Sequence, residues 1–246
     1  MKEKTAKILG VNFTYKNFKE MLQVISSRIN KQQKAFIVTA NPEIVMYANR
    51  HKDYSEIISS ADYIVPDGIG VVIASKILQE PLDGRVTGYD LMMSLLKLAN
   101  ENCWSVYLLG GQPEVNLEAS LKVKENYPRI ELVGSHHGYF DFEDNKIAEE
   151  IKRLKPDLVF VALGFPRQEK WIGKYFKSFE KGVFIGVGGS IDVLSGRIKR
   201  APLMWQKTNL EWLYRLIKQP SRWKRMLELP KFIIKVVSFK LFKSDS

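Results

Sequence analysis

The chain has 246 residues, 45% hydrophobic and 26% charged, a balance that excludes disordered, collagen-like and mucin-like classes and supplies enough apolar material for a substantial core. A single cysteine, Cys103, excludes a disulfide scaffold, and no uncharged apolar run reaches the ~18 residues of a membrane span. The formal charge of +11 lies almost wholly at one end: Arg197–Ser246 holds 13 of the 38 Lys and Arg but 3 of the 27 Asp and Glu, leaving the preceding body near neutral.

In chain order, Met1–Asn12 carries lysines without the apolar stretch of a signal peptide, which together with the lone cysteine points to the cytoplasm. Short apolar, β-branched runs recur at Ala35–Thr39, Tyr63–Val65, Ser105–Leu109, Leu158–Leu163 and Val183–Val187, and read as strands buried on both faces. Amphipathic stretches such as Asp90–Asn100 and Glu114–Tyr127 fit between them as helices. The alternation predicts an α/β domain over residues 1–199, a parallel sheet with helices on both faces. From Arg200-Ala-Pro202 onward a basic, mainly helical appendage, 200–246, is expected.

Sheets of this kind bind ligands outside the carboxyl ends of their strands, so the residues that follow each run are the site candidates. After the first run, Asn41 reads as an N-cap, with Pro42 at the first helical position and Glu43 in the first turn. Asp67, in Pro66-Asp67-Gly68, is placed to take a proton from a hydroxyl nucleophile; Pro-Asp-Gly is equally a turn sequence in which the carboxylate bonds its own backbone. Arg85 precedes a helix with Asp90 as its expected N-cap, and suits either a leaving phosphate or a surface ion pair. Gly110 and Gly111, and again Gly188 in Gly186–Ser190, end strands in turns where backbone N–H groups approach a phosphate. The stretch His136–Tyr139 marks a loop, with Tyr139 available to stack on a base. Gln168, in the polar cluster Gly164–Trp171, suits a sugar hydroxyl or a nucleobase, although capping and solvation explain the cluster as well. Asp192 falls in the first turn of a helix, where it accepts from a ribose hydroxyl or complements the helix dipole.

The absences narrow the chemistry. Without G-x-G-x-x-G or a Walker loop the glycine turns do not make a dinucleotide oxidoreductase, and no G-x-S-x-G elbow suggests an acyl hydrolase. Three histidines and no Asp-x-Asp give no transition-metal site and no carboxylate clamp for a metal diphosphate.

The appendage interleaves Trp205, Trp212, Tyr214 and Trp223 with Arg215, Lys218, Arg222, Lys224 and Arg225, and then runs Lys231–Lys243 as cations among aliphatic and aromatic groups. Segments of this kind lie on anionic leaflets, each basic residue contributing about 1 kcal/mol near the surface. Packing on its own domain is the plainer reading, and an apolar face here also suits a homo-oligomer. A nucleic-acid partner is disfavoured by the neutral body and by the lack of any RRM, KH or zinc-finger signature.

The motifs Thr39–Glu43, Ala61–Gly70, Arg85–Asp90, Leu108–Gly111, Val161–Trp171, Gly186–Asp192 and Arg200–Pro202, followed by Leu210–Leu216 and Pro220–Arg225, stand in an order that resembles the WecG/TagA/CpsF family of bacterial glycosyltransferases. The resemblance spans about Ile8–Arg225. It implies a Rossmann-like fold and an inverting, metal-independent transfer, with no cofactor, from a UDP-sugar to a polyprenyl-diphosphate-linked sugar at the inner face of the cell membrane. In the wall teichoic acid branch this is N-acetylmannosamine from UDP-ManNAc, joined β-1,4 to N-acetylglucosaminyl-diphospho-undecaprenol; other branches use N-acetylmannosaminuronic acid or a hexose. By motif position the resemblance implies Asp67 as general base toward the acceptor C4 hydroxyl, Thr39, Asn41 and Gln168 in the sugar and acceptor pocket, and Arg85 on the diphosphate. It further implies that Arg215, Arg222 and Arg225 close over the site and stabilise the leaving UDP or bind the acceptor diphosphate; because they share a segment with the membrane-binding charge, the tail is expected to complete the site at the bilayer.

Overall fold

The computed structural model describes residues 4–218, 220 and 223–244. It opens with a hairpin, β1 (Thr5–Ile8) and β2 (Val11–Thr14), whose two turn residues, Leu9 and Gly10, both take positive φ, as a two-residue hairpin loop requires. Helix α1 (Phe18–Asn30) starts in a capping box, with Asn17 and Glu20 each satisfying the other's backbone N–H, and buries Met21, Ile25 and Ile29 at four-residue spacing. Strand β3 (Lys34–Ala40) leads through Asn41 into α2 (Pro42–Ala48) and α3 (Lys52–Ser59), and β4 (Tyr63–Pro66) leads through Asp67 into α4 (Ile69–Ile77). After α5 (Gly88–Asn102) come β5 (Ser105–Gly110), α6 (Pro113–Asn126), β6 (Glu131–His136), α7 (Lys146–Leu154), β7 (Leu158–Ala162), α8 (Arg167–Tyr175), β8 (Gly182–Gly186) and α9 (Ser190–Leu194). The carboxyl-terminal residues form α10 (Leu203–Lys207), α11 (Glu211–Lys218), α12 (Trp223–Met226) and α13 (Glu228–Ser244).

Six strands make one parallel sheet in the order β4-β3-β8-β7-β5-β6. Because side chains alternate across a strand, its runs read as uninterrupted apolar sequence only where both faces are covered. Phe36, Val38 and Ala40 enter one core with residues of α2, α3, α7 and α8; Ala35 and Ile37 enter the other with residues of α1, α5 and α6. All five expected strands are present, with no end shifted by more than one residue. The sixth, β6, falls partly on the stretch read as a loop: His136 closes the strand, and the loop begins at His137.

The appendage is helical, and its last helix belongs to the core. Phe232 and Val236 of α13 are fully buried where the helix packs against α2 and α4, and Lys235 Nζ donates to Asn49 Oδ1 at 3.0 Å. Its other face stays exposed, with Ile234, Val237, Leu241 and Phe242 in solvent. No helix among the described residues is long and apolar enough to cross a membrane.

Gly110 has its own structural cause. It sits at φ +123°, and a Cβ there would fall 2.3 Å from the Ala162 carbonyl oxygen on the neighbouring strand. Gly110→Ala is therefore expected to destabilise the fold by more than about 2 kcal/mol, readable as a lower urea midpoint at unchanged m.

Candidate active site

The carboxyl ends of β4, β3, β8 and β7 open into one cleft of ≈ 360 Å³. Four sequence features build its floor. Thr39, next to last in β3, is buried and donates its hydroxyl to the Gly186 carbonyl at 2.9 Å, tying the ends of β3 and β8 together. Asn41 caps α2, accepting from the Ile44 N–H at 3.0 Å, as the Asn-Pro-Glu sequence predicts. Asp67 follows β4 directly, anchored by its own N–H to the Ala40 carbonyl at 2.9 Å; Gly68 then takes φ +102°, which lets the chain turn at once into α4. Gln168, in the first turn of α8, accepts the Gly188 N–H at 3.0 Å and donates to Glu169 at 2.7 Å.

Arg85 stands on one wall and is held by the appendage, donating to the Gln206 carbonyl at 3.0 Å and facing Glu211 at 3.4 Å. Glu211 bridges it to Arg200, at 3.1 Å, which in turn pairs with Asp90 at 2.7 Å and lies over the Tyr89 ring. Arg85 and Arg200 are each 23% exposed at the side chain, sheltered enough for charge to act at short range without full screening. The N-cap of α5 is Thr87 rather than Asp90: the threonine hydroxyl accepts from the Asp90 N–H at 3.2 Å and donates to its carboxylate at 2.6 Å, so Asp90 serves from the third helical position and remains available to Arg200.

The cleft thus gathers Thr39, Asn41, Asp67, Arg85, Gln168, Gly188 and Asp192, residues drawn from points up to 153 positions apart. Gly110 and Gly111 do not line it. They lie at the end of β5, where Gly111 donates to Ala162 and accepts from Gly138, and the 64%-exposed Tyr139 stands next to that turn. Arg222 lies outside the described residues, as do the side chains of Arg215 and Arg225; among the described residues the appendage reaches the cleft through Arg200, Glu211, Trp212, Met226, Glu228 and Leu229. No group of three or more His, Cys, Asp and Glu gathers to hold a metal ion among the described residues.

A six-stranded parallel sheet whose strand ends open into one cleft lined by carboxylates, amides and two arginines has the form of a group-transfer enzyme for a phosphate-bearing substrate. Residues 6–246 match the Glycosyl transferase WecG/TagA/CpsF family, and the chain belongs to it. Among curated proteins it is 44% identical over 235 residues to the N-acetylglucosaminyldiphosphoundecaprenol N-acetyl-beta-D-mannosaminyltransferase of Staphylococcus aureus strain MW2, covering 95% of this chain and 92% of that one. The proteins of the same name from strains NCTC 8325 and MRSA252 are 44% and 43% identical over the same coverage.

Proposed function

We propose that this protein transfers N-acetylmannosamine from UDP-ManNAc to the C4 hydroxyl of N-acetylglucosaminyl-diphospho-undecaprenol, as the name of its Staphylococcus aureus relatives describes for the acceptor and the sugar moved. The observation that carries the reading is the cleft that Asp67 lines together with Thr39, Asn41, Gln168, Arg85 and Arg200. Asp67 accepts the proton of the acceptor hydroxyl as its oxygen attacks the anomeric carbon of the donor. The new C–O bond forms as the bond from that carbon to the β-phosphate oxygen breaks, inverting the anomeric centre, and UDP leaves with the electron pair. Arg85 meets the charge that develops on the diphosphate, where a positioned cation acts most strongly. Thr39, Asn41 and Gln168 orient the sugars, and Asp192 and the Gly188 turn take the nucleotide.

Turnover of UDP-ManNAc with a short-chain N-acetylglucosaminyl-diphospho-lipid, read by mass spectrometry, tests the reaction; a disaccharide-lipid is expected, and failure with this donor alongside success with N-acetylmannosaminuronic acid or a hexose would transfer the protein to another branch. EDTA is expected to leave the rate unchanged. Arg85→Ala is expected to lower kcat/KM about tenfold to a hundredfold, less than loss of the base, because Arg200 stays on the same wall.

The appendage carries the second half of the proposal. With α13 packed by one face, its exposed apolar groups and the surrounding lysines are arranged to lie on the inner leaflet, beside the lipid acceptor. Co-sedimentation with phosphatidylglycerol vesicles, weakening as salt rises, is expected, and equal binding to neutral phosphatidylcholine vesicles would count against it.

A further inference from the structure

The run Arg167-Gln-Glu-Lys170 has the composition of a solvated helix start, yet Glu169 is 0% exposed and lies directly behind the cleft. Two hydrogen bonds lead from it into the site. Its Oε1 accepts from Gln168 Nε2 at 2.7 Å, and Gln168 Oε1 accepts the Gly188 N–H at 3.0 Å. A carboxylate only accepts and a backbone N–H only donates, so the pair fixes which end of the Gln168 amide is nitrogen and which is oxygen. Gly186 leaves room for this: a Cβ there would stand 2.6 Å from Gln168 Nε2 and 3.3 Å from Glu169 Oε1. The Gly186 carbonyl also takes the Thr39 hydroxyl, so the chain of contacts runs on to β3.

We propose that Glu169 is a positioning residue for the transfer reaction, setting through the Gln168 amide both the Gly188 turn and the side-chain face that the bound sugar nucleotide meets. The substrate named here rests on the transferase reading; the hold on Gln168 does not.

The groups that face this carboxyl are Tyr54 from α3 and Glu43 from α2, with Tyr47 of α2 behind Tyr54; β8 offers no titratable side chain. Burial pushes Glu169 up to about 7 from an ordinary 4.5, and Glu43 adds to the rise, while the bond from Gln168 and the nearby Tyr54 hydroxyl resist it. Ionised, the carboxylate makes the stronger, charge-assisted bond to Gln168. Stability runs the other way. A buried acid raised in the native state contributes most below its unfolded value of 4.5, and that contribution is lost as pH rises through about 7.

Glu169→Gln separates the two effects, since it keeps the shape and cannot ionise. At pH 8 the variant is expected to have a higher unfolding midpoint than the wild type and yet a kcat about fivefold lower, the difference between a charged and a neutral hydrogen bond. The wild-type rise in kcat between pH 6 and 8 flattens in it, and in a Gln168→Ala background the same substitution has no further effect on kcat. Tyr54→Phe, which removes a nearby hydroxyl that favours the charged carboxylate, is expected to move the wild-type inflection to higher pH. The reading independent of catalysis is the side-chain amide resonance of Gln168 by NMR, expected to titrate near neutrality in the wild type and not in Glu169→Gln. A Gln168 resonance that does not titrate in the wild type, or a Glu169→Gln enzyme with wild-type kcat across that range, overturns the proposal. Titration of Gln168 in a protein that transfers no sugar overturns the assigned reaction and supports the hold of Glu169 on Gln168.

Discussion

Replacing Asp67 with asparagine is expected to lower kcat by about 10²–10⁴ with little change in thermal stability, the range a positioned general base contributes. The residue is anchored by its backbone N–H to Ala40, and the turn into α4 rests on the positive φ of Gly68, so asparagine keeps the backbone geometry while it removes the carboxylate. The measurement is single-turnover transfer to the lipid acceptor, with UDP binding followed by calorimetry on the same preparation. Unchanged UDP affinity with the rate collapsed places the loss in the chemical step. A variant within a factor of a few of the wild type would show that another group takes the acceptor's proton.

Phe232→Ala is expected to cost about 3–5 kcal/mol of stability, seen as a lower urea midpoint. The ring is fully buried between α13 and the α2/α4 pair, in the core that includes Phe36 and Val38 of the central sheet. This bears on how the appendage is studied. Cutting the chain at Lys199 removes Phe232 and Val236 together with Glu211, which bridges Arg85 and Arg200, so an inactive truncation does not by itself report a lost membrane contact. Substituting the exposed residues Ile234 and Phe242, 67% and 77% accessible, leaves that core intact and tests lipid contact separately. A Phe232→Ala midpoint equal to the wild type would mean that α13 is not seated on α2 and α4 in solution.

Much of the sheet was legible because its strands are buried on both faces. Runs such as Phe36-Ile-Val and Val159-Phe-Val161 are short, β-branched and aromatic, and turn residues follow them, which favours strand over buried helix. The edge strand β6 was not legible, because Glu131 and Ser135 are exposed and Gly134 interrupts the pattern; that glycine exists because a Cβ would collide with the Tyr107 ring, a contact absent from local sequence. In the site, Asn41, Asp67, Gln168, Gly188 and Asp192 were readable from the turns and helix starts that follow strands, and Arg85 from its place before a helix; the cleft collects them. Gly110 and Gly111 have the same sequence form but a different cause, close packing of β5 on β7 and of the turn on Ile191 and Val115. Glu169 was overlooked among charged neighbours. A signal for it existed: Gln168, Trp171, Ile172 and Tyr175 fall on one helical stripe, and Glu169 stands three residues before Ile172 at its margin.

The last strand of the sheet lies in its middle. Among the described residues only β8 joins the β4-β3 pair to the β7-β5-β6 triplet; without it the two share no backbone ladder there. During synthesis the amino-terminal pair must therefore wait, with one edge of β3 open, until residues 182–186 have left the ribosome, and β7 waits with it. The chain accordingly has no early fragment that folds as a finished unit, and a stalled or nicked product ending before Gly182 is expected to be a substrate for chaperones and proteases. Cooperativity between distant ends of the sequence is thus built into the strand order, and the same closure brings Thr39 of β3 against Gly186 of β8, so the catalytic floor and the completed sheet form in one event.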